Sequence, residues 1–376
     1  MGLGKKKIIK WLIIVSVSIF LIAATISIII VTRRELPNED LRLAREALAL
    51  AKEAGADVYA ENLYKESTQM YDSAMVNWSR ENDRFILFRD YTRVKNFAKL
   101  SRKKADAAKD ESIQKTVNLT KNVEAAFVSL DKKIELYDRL FKNLPLSKSV
   151  IDAHNKSKMF LSESKIAHES GKLKDAELLF KKAEIYVNHA NSGASNMLRN
   201  YFDSYPTWRR MAADAIAASR GGSKVILVDK MAHLLYVYQS GKVIRTFETE
   251  FGPNWMSHKE RNGDGATPEG NYHITSKKTG GSTIYHKALL LNYPNDEDRK
   301  RFAINKKKGL ISRGAGIGGL IEIHGNGGKG FNWTSGCIGL NDADINNLYR
   351  LVGAGTRVTI VGSIEPLSVV TKGLDF

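Results

Sequence analysis

Cysteine occurs once in these 376 residues, at Cys337. That count excludes a disulfide within the chain, and with it the stapled scaffolds of small secreted domains. Charge is missing altogether from Trp11 to Val31, which excludes that stretch from an ordinary solvated surface. Glycine is nearly missing from 35–220, which argues against loops or tight β-turns there. Acidic residues are outnumbered by basic ones, 41 against 58. No His/Cys/Asp cluster with ligand spacing surrounds the lone thiol, so the sequence offers no metal site.

The uncharged run follows Lys5, Lys6, Lys7 and Lys10 and precedes Arg33 and Arg34. A helix of about 21 residues spans roughly 30 Å, the thickness of a bilayer's hydrocarbon core. A secretory signal has a shorter core and ends at a small-residue cleavage site, whereas Ala23-Ala24 is followed here by more isoleucine. An uncleaved transmembrane signal anchor over 1–34 is favoured over a removed signal peptide. The lysines place the N-terminus in the cytoplasm and the bulk of the chain outside, although Arg33 and Arg34 pull the other way. An odd cysteine in an exported protein marks a reactive thiol or an intermolecular partner; a buried inert residue is the plain alternative. The net charge of +17 would ordinarily suggest nucleic acid. On an exported protein it suggests anionic lipid headgroups or cell-wall polymers, or a solvated surface without a single partner.

Residues 35–220 read as an all-α helical-hairpin or bundle region. Val123, Phe127, Leu130, Ile134, Tyr137 and Phe141 alternate four and three apart, one stripe of one helix, and Leu144-Pro145 ends it. "GADVYAENLYK" (55–65) and "GKLKDAELLFK" (171–181) share Gly, Ala-Glu and Leu-aromatic-Lys at equal offsets. This weak repeat is similar to the hairpin units of tetratricopeptide-like arrays, with glycine in the turn and alanine where helices approach closely. The region serves as a spacer or as a partner-binding module. Ser-x-x-Lys strings at Ser101, Ser112 and Ser162, with Lys278-Thr279-Gly280 downstream, mimic a serine acyltransferase. No sheet-like segment surrounds the serines, and such strings arise by chance in a lysine-rich chain.

After Gly221-Gly222-Ser223 the pattern changes to strands: "KVILVD", "LLYVY", "KVIRTFETEF", "NYHIT", "ALLLN", "LIEIHG" and "RVTIVG". "DADINNLYRLV" is the one clear helix, with Asp342 or Asp344 as its cap. Gly314–Gly319 fits a dinucleotide-binding string but precedes a strand instead of following one, so it reads as a loop or as close backbone packing. Gly263-Asp264-Gly265 and Thr267-Pro268-Glu269-Gly270 read as turns. His324-Gly325 ends a strand, and Cys337 lies beyond a glycine-rich loop, 13 residues later. A thiol needs a base to reach its thiolate, and histidine is the usual one. Gly336 allows a sharp turn with N–H groups turned toward an oxyanion. On spacing alone, His324 is equally a satisfied strand-end residue.

"GDGATPEGNYHI", "ALLLNYPNDED", "IEIHGNGG" and "WTSGCIGLNDADINNL", in that order, resemble the catalytic domain of L,D-transpeptidases, the YkuD family. The likeness runs from about Lys224 to Val361 and includes the signature Ser/Thr-x-Gly-Cys. It implies a mostly β, β-sandwich-like domain over 223–362, followed by a tail at 363–376. It also implies an enzyme of the extracytoplasmic side of a bacterial membrane, acting on peptidoglycan stem peptides without a cofactor. Cys337 matches the nucleophile and His324 the general base; Thr334, Ser335, Gly336 and Gly325 fall in the motif. The implied chemistry is acyl transfer through a Cys337 thioester to an amine, forming 3→3 cross-links.

Two positions depart from the family pattern. Ser335 stands where many members have histidine, and Gly339 where many have arginine suited to a carboxylate. Arg313, Lys277 and Lys329 are candidates to take over carboxylate recognition, and His258, His273 and His286 are candidates to line the cleft. Water in place of the amine gives a carboxypeptidase or cross-link hydrolase, which the sequence does not separate from a transferase. A membrane-anchored scaffold with a degenerate enzyme domain is the reading from another class.

Overall fold

A computed structural model describes residues 3–32 and 35–373. Arg33 and Arg34, and the end of the 363–376 tail, lie outside the described residues. Helix α1 (Leu3–Thr32) contains Lys7–Ile29, a stretch long and apolar enough to cross a membrane and buried nowhere. Then follow α2 (Asn38–Glu53), α3 (Ala56–Tyr59), α4 (Glu61–Asn82), α5 (Thr92–Leu140), α6 (Lys148–Glu169), α7 (Leu173–Phe202) and α8 (Tyr205–Ser219). The chain divides into two compact units, residues 1–126 with 166–177 and residues 127–165 with 178–376.

The first unit is held by small side chains. Ala44, Ala51, Ala56, Ala74, Ala98, Ala105 and Ala108 are fully buried, so helix backbones approach closely. Gly55 and Gly171 both adopt left-handed backbone at the turns, φ 75° and 73°, where the repeat places them. Two of the Ser-x-x-Lys serines are part of the helix seams. Ser101 Oγ donates to the Ser67 carbonyl at 2.8 Å, and Ser112 Oγ donates to the Ala54 carbonyl at 2.5 Å. The stripe from Val123 to Phe141 is buried throughout, and α5 ends at Leu140, ahead of Pro145.

In the second unit one core runs from Tyr137, Phe141 and Val150 through Leu198 and Trp208 into a β-sheet. The strands are β1 (Val225–Asp229), β2 (Leu234–Gln239), β3 (Lys242–Glu248), β4 (Gly270–Thr279), β5 (Lys287–Leu291), β6 (Glu322–His324), β7 (Ile338–Gly339) and β8 (Arg357–Val361). Their order is β3-β2-β1-β8-β4-β5-β6-β7. β1 is buried at every position, as its unbroken apolar run requires of a strand covered on both faces. Each fully buried aliphatic side chain here contributes about 1.5–3 kcal/mol.

The sheet is curled. Glu250, just past β3 at one edge, bridges to Gly339 of β7 at the other through two backbone bonds of 2.9 and 2.7 Å. The ends of an eight-strand ladder therefore meet at β7, the strand that directly follows the thiol.

Two local readings are corrected. The sheet domain has a second well-formed helix, α9 (Asp296–Lys307), besides α10 (Asp342–Leu351); a short α11 (Leu367–Val370) follows. α9 carries no apolar stripe for periodicity to detect. It is nucleated by Asn295, whose side chain accepts from the Glu297 and Asp298 N–H groups while Asp298 returns a bond to Asn295 N. The cap of α10 is Asn341, which accepts from Asp344 N at 2.9 Å. Asp342 instead accepts from Asn326 N at 2.7 Å and ties down the loop after His324.

The run Thr267–Gly270 is also more than a turn. The Glu269 side chain, 9% exposed, receives Lys230 Nζ at 2.7 Å, Trp208 Nε1 at 2.9 Å and the Tyr201 hydroxyl at 3.2 Å. Lys230 is fully buried, and it also donates to the Ser257 and Thr267 carbonyls. Burial raises the Glu269 carboxyl's pKa, but the Lys230 ammonium outweighs it and holds the group below its ordinary value.

Candidate active site

Directly paired residues share a face of a sheet, and so do residues two apart along a strand. Lys278 pairs with Ala288, Ala288 with His324, and His324 with Gly339. Glu322, two residues before His324 on β6, shares its face, and Cys337, which immediately precedes β7, extends the parallel register opposite Glu322. The Tyr285 ring stacks on the His324 imidazole at 3.5 Å. Trp333 closes over the imidazole edge-on at 5.7 Å.

The imidazole is held in one tautomer. Nδ1 lies 2.7 Å from the Gly325 carbonyl, which only accepts, so Nδ1 carries the proton. Nε2 is buried and, among the described residues, has no hydrogen-bond partner, leaving its lone pair unused. Burial lowers the His324 pKa below 6.5, with the Gly325 carbonyl and the Glu322 charge opposing it and Lys329 adding to it. Burial likewise raises the Cys337 pKa above 9.0, opposed by the Glu322 N–H and by Lys259 and Lys278. The resting pair is therefore neutral thiol and neutral imidazole, and the thiol donates to the Leu320 carbonyl at 3.5 Å.

The turn that presents the sulfur is built on two residues. Gly336 has φ 124°, and a Cβ there would lie 2.5 Å from the Ala266 carbonyl oxygen, so only glycine fits. The Thr334 hydroxyl donates to the Cys337 carbonyl at 2.7 Å and accepts from Gly336 N at 3.3 Å. The Gly336 N–H is thus engaged inside the turn and is not the free donor that its position suggested. Gly325 is fixed by packing: a Cβ would meet Asp342 Oδ1 at 2.6 Å. Ser335 is exposed.

The remaining candidates are scattered. Lys277 points away from the thiol's face and donates to the Tyr349 and Val352 carbonyls at the end of α10. Lys329 sits 3.3 Å over the Trp333 ring, at the rim of the His324 pocket. Arg313 is exposed in a turn. His258 is half-buried, with Nδ1 accepting from Glu269 N, and desolvation pushes its pKa down to about 3. His273 is exposed on β4, and His286 is exposed with Nε2 against Asn346 Oδ1.

Four charged residues beside the site were missed as such. Lys259 is buried, paired with Asp264 at 2.8 Å, and lies against the Gly336 turn. Asp264, read as a turn residue, also accepts from the Glu260, Arg261 and Ala266 N–H groups. Lys278 and Glu322 form an ion pair of 2.7 Å on the thiol's own face. Strand alternation could have found Glu322, two residues before His324; the preference for Lys278 over Lys277 needed the pairing register.

No curated protein matches the chain. Among solved structures, L,D-transpeptidase 1 of Mycobacterium tuberculosis is 18% identical, over 37% of this chain and 62% of that one, with TM-score 0.24. An L,D-transpeptidase of Xylanimonas cellulosilytica is 19% identical over 37% and 61%, with TM-score 0.27. One from Stackebrandtia nassauensis is 20% identical over 38% and 56%, with TM-score 0.25. The chain spans less than two thirds of the length of these solved chains. The family comparison reaches the site itself: residues 223–360, which carry Lys278, His324 and Cys337, match YkuD, the L,D-transpeptidase catalytic domain.

Proposed function

We propose that this protein is a peptidoglycan L,D-transpeptidase that works through a thioester on Cys337. The observation that carries the reading is the His324 imidazole: Nδ1 is pinned to a carbonyl, and Nε2 is unpartnered on the face it shares with the only thiol.

The steps follow from those protonation states. Nε2 takes the thiol proton as Sγ attacks the carbonyl between the third residue of the stem and its terminal D-residue. The Gly336 N–H is held by Thr334 in this turn, so it is not a free donor to the oxyanion. The carbon–nitrogen bond breaks, the imidazolium returns its proton to the leaving amine, and an acyl thioester remains. An amine from a second stem then attacks, gives a proton to Nε2, and releases the thiol as the new amide forms. The thioester retains the activation of the broken bond, so no nucleotide is consumed.

In this reading 1–34 anchors the chain in the cell membrane, 35–220 is a helical stalk, and 223–362 is the catalytic domain on the extracytoplasmic side, followed by the tail. α1 supports the anchor by its length and apolar character. Incubating the full chain in detergent with tetrapeptide-stem muropeptides tests the activity. Mass spectrometry is expected to show cross-linked dimers together with released D-alanine. Release without dimers identifies a hydrolase, and no product leaves only the scaffold reading.

A further inference from the structure

We infer that Lys278 is the binding site for the C-terminal carboxylate of the donor peptide, held ready by Glu322. This inference rests on the acyl-transfer reading and names a specificity residue within it.

The chemistry sets a narrow distance requirement. In a peptide attacked at its last amide bond, the terminal carboxylate lies three bonds beyond the attacked carbon, under about 4.3 Å away even when extended. A cation that reads it must adjoin the sulfur. The other cations are held elsewhere. Lys277 caps α10 on the opposite face, and Lys329 lies over Trp333 in the loop after β6, off the cross-strand row that joins Lys278 to His324. Lys259 is buried, with its ammonium on Asp264 and the Arg261 carbonyl.

Lys278 is placed for this role by register. It stands in the same cross-strand row as His324, two strands away, and its ammonium bonds the carboxylate of Glu322, the β6 residue that extends the β6–β7 register opposite Cys337. Its side chain is 24% exposed, whereas that of Glu322 is 9% exposed, so the open side of the pair is the ammonium. The bond to Glu322 Oε1 uses one of the three N–H donors of the ammonium. Glu322 orients the lysine and keeps the empty site neutral. An arriving carboxylate joins the remaining donors from the exposed side.

The test compares a donor tetrapeptide with its C-terminal amide on the full chain in detergent. The wild type is expected to prefer the acid by tenfold or more in kcat/KM. Lys278→Met, and Lys278→Met with Glu322→Gln in case an unpaired Glu322 impairs folding, should bring that ratio to about one. Lys278→Arg should keep it within about threefold of wild type. A ratio that survives in the double variant overturns the assignment. If the wild type turns over neither peptide, the same comparison is read as affinity on Cys337→Ser protein by calorimetric titration. Tighter binding of the acid that is lost with Lys278→Met then upholds the subsite while the acyl-transfer reading fails; equal affinities overturn the subsite.

Discussion

Cys337→Ala is expected to reduce transfer by a factor on the order of 10⁴ or more, because no other side chain on this face can carry an acyl group as a thioester. The fold should tolerate the change, since the sulfur's hydrogen bond to Leu320 is a weak one at 3.5 Å. His324→Gln is expected to cost less, roughly 10²–10⁴-fold, the usual share of a general base. The wild-type pH profile checks the same assignment. The active imidazole is the neutral one, and burial has lowered its pKa, so activity should fall on acidification through a midpoint below 6.5. A Cys337→Ala protein within tenfold of wild type, or a midpoint above 6.5, contradicts the roles given to the pair.

The largest effect on stability is expected at Glu269. Glu269→Gln keeps the shape but leaves the fully buried Lys230 ammonium without its counter-charge. Removing one member of a buried pair costs about 3–5 kcal/mol. That loss should appear as a lower urea midpoint for the unit containing the sheet. Replacing both partners, Lys230→Met with Glu269→Leu, should recover part of it, because no buried charge is left behind although the Trp208 and Tyr201 donors lose their acceptor. The pH dependence has a definite sign: the carboxyl is held below 4.5 in the folded state, so its contribution is complete above that value and fades as pH falls below it. A Glu269→Gln protein within 1 kcal/mol of wild type would mean that the lysine is neutral or solvated there.

Much of this was legible in residue order. The stripe from Val123 to Phe141, the break at Pro145, the strand segments, the strand end at His324 and the Ser-Gly-Cys turn all depend on local periodicity or turn chemistry. What stayed hidden depends on register and tertiary closure. Lys277 and Lys278 are adjacent and chemically alike, and only the pairing of β4 with β5 decides which one shares the thiol's face. Tyr285 stacks on His324 from 39 residues away. Glu269 and Asp264 look like turn formers because they are; their ionic partners Lys230 and Lys259 become visible only when the chain folds back. α9 escaped because a capping box and charged side chains hold it, with no buried stripe.

The most direct measurement is the intact mass of the full chain after brief mixing with a tetrapeptide donor and no acceptor, quenched in acid. A single addition equal to the tripeptide acyl group is predicted, mapping by proteolysis to the peptide containing Cys337 and disappearing when an amine acceptor is supplied. Turnover with no such adduct, or an acyl group on any other residue, would contradict it.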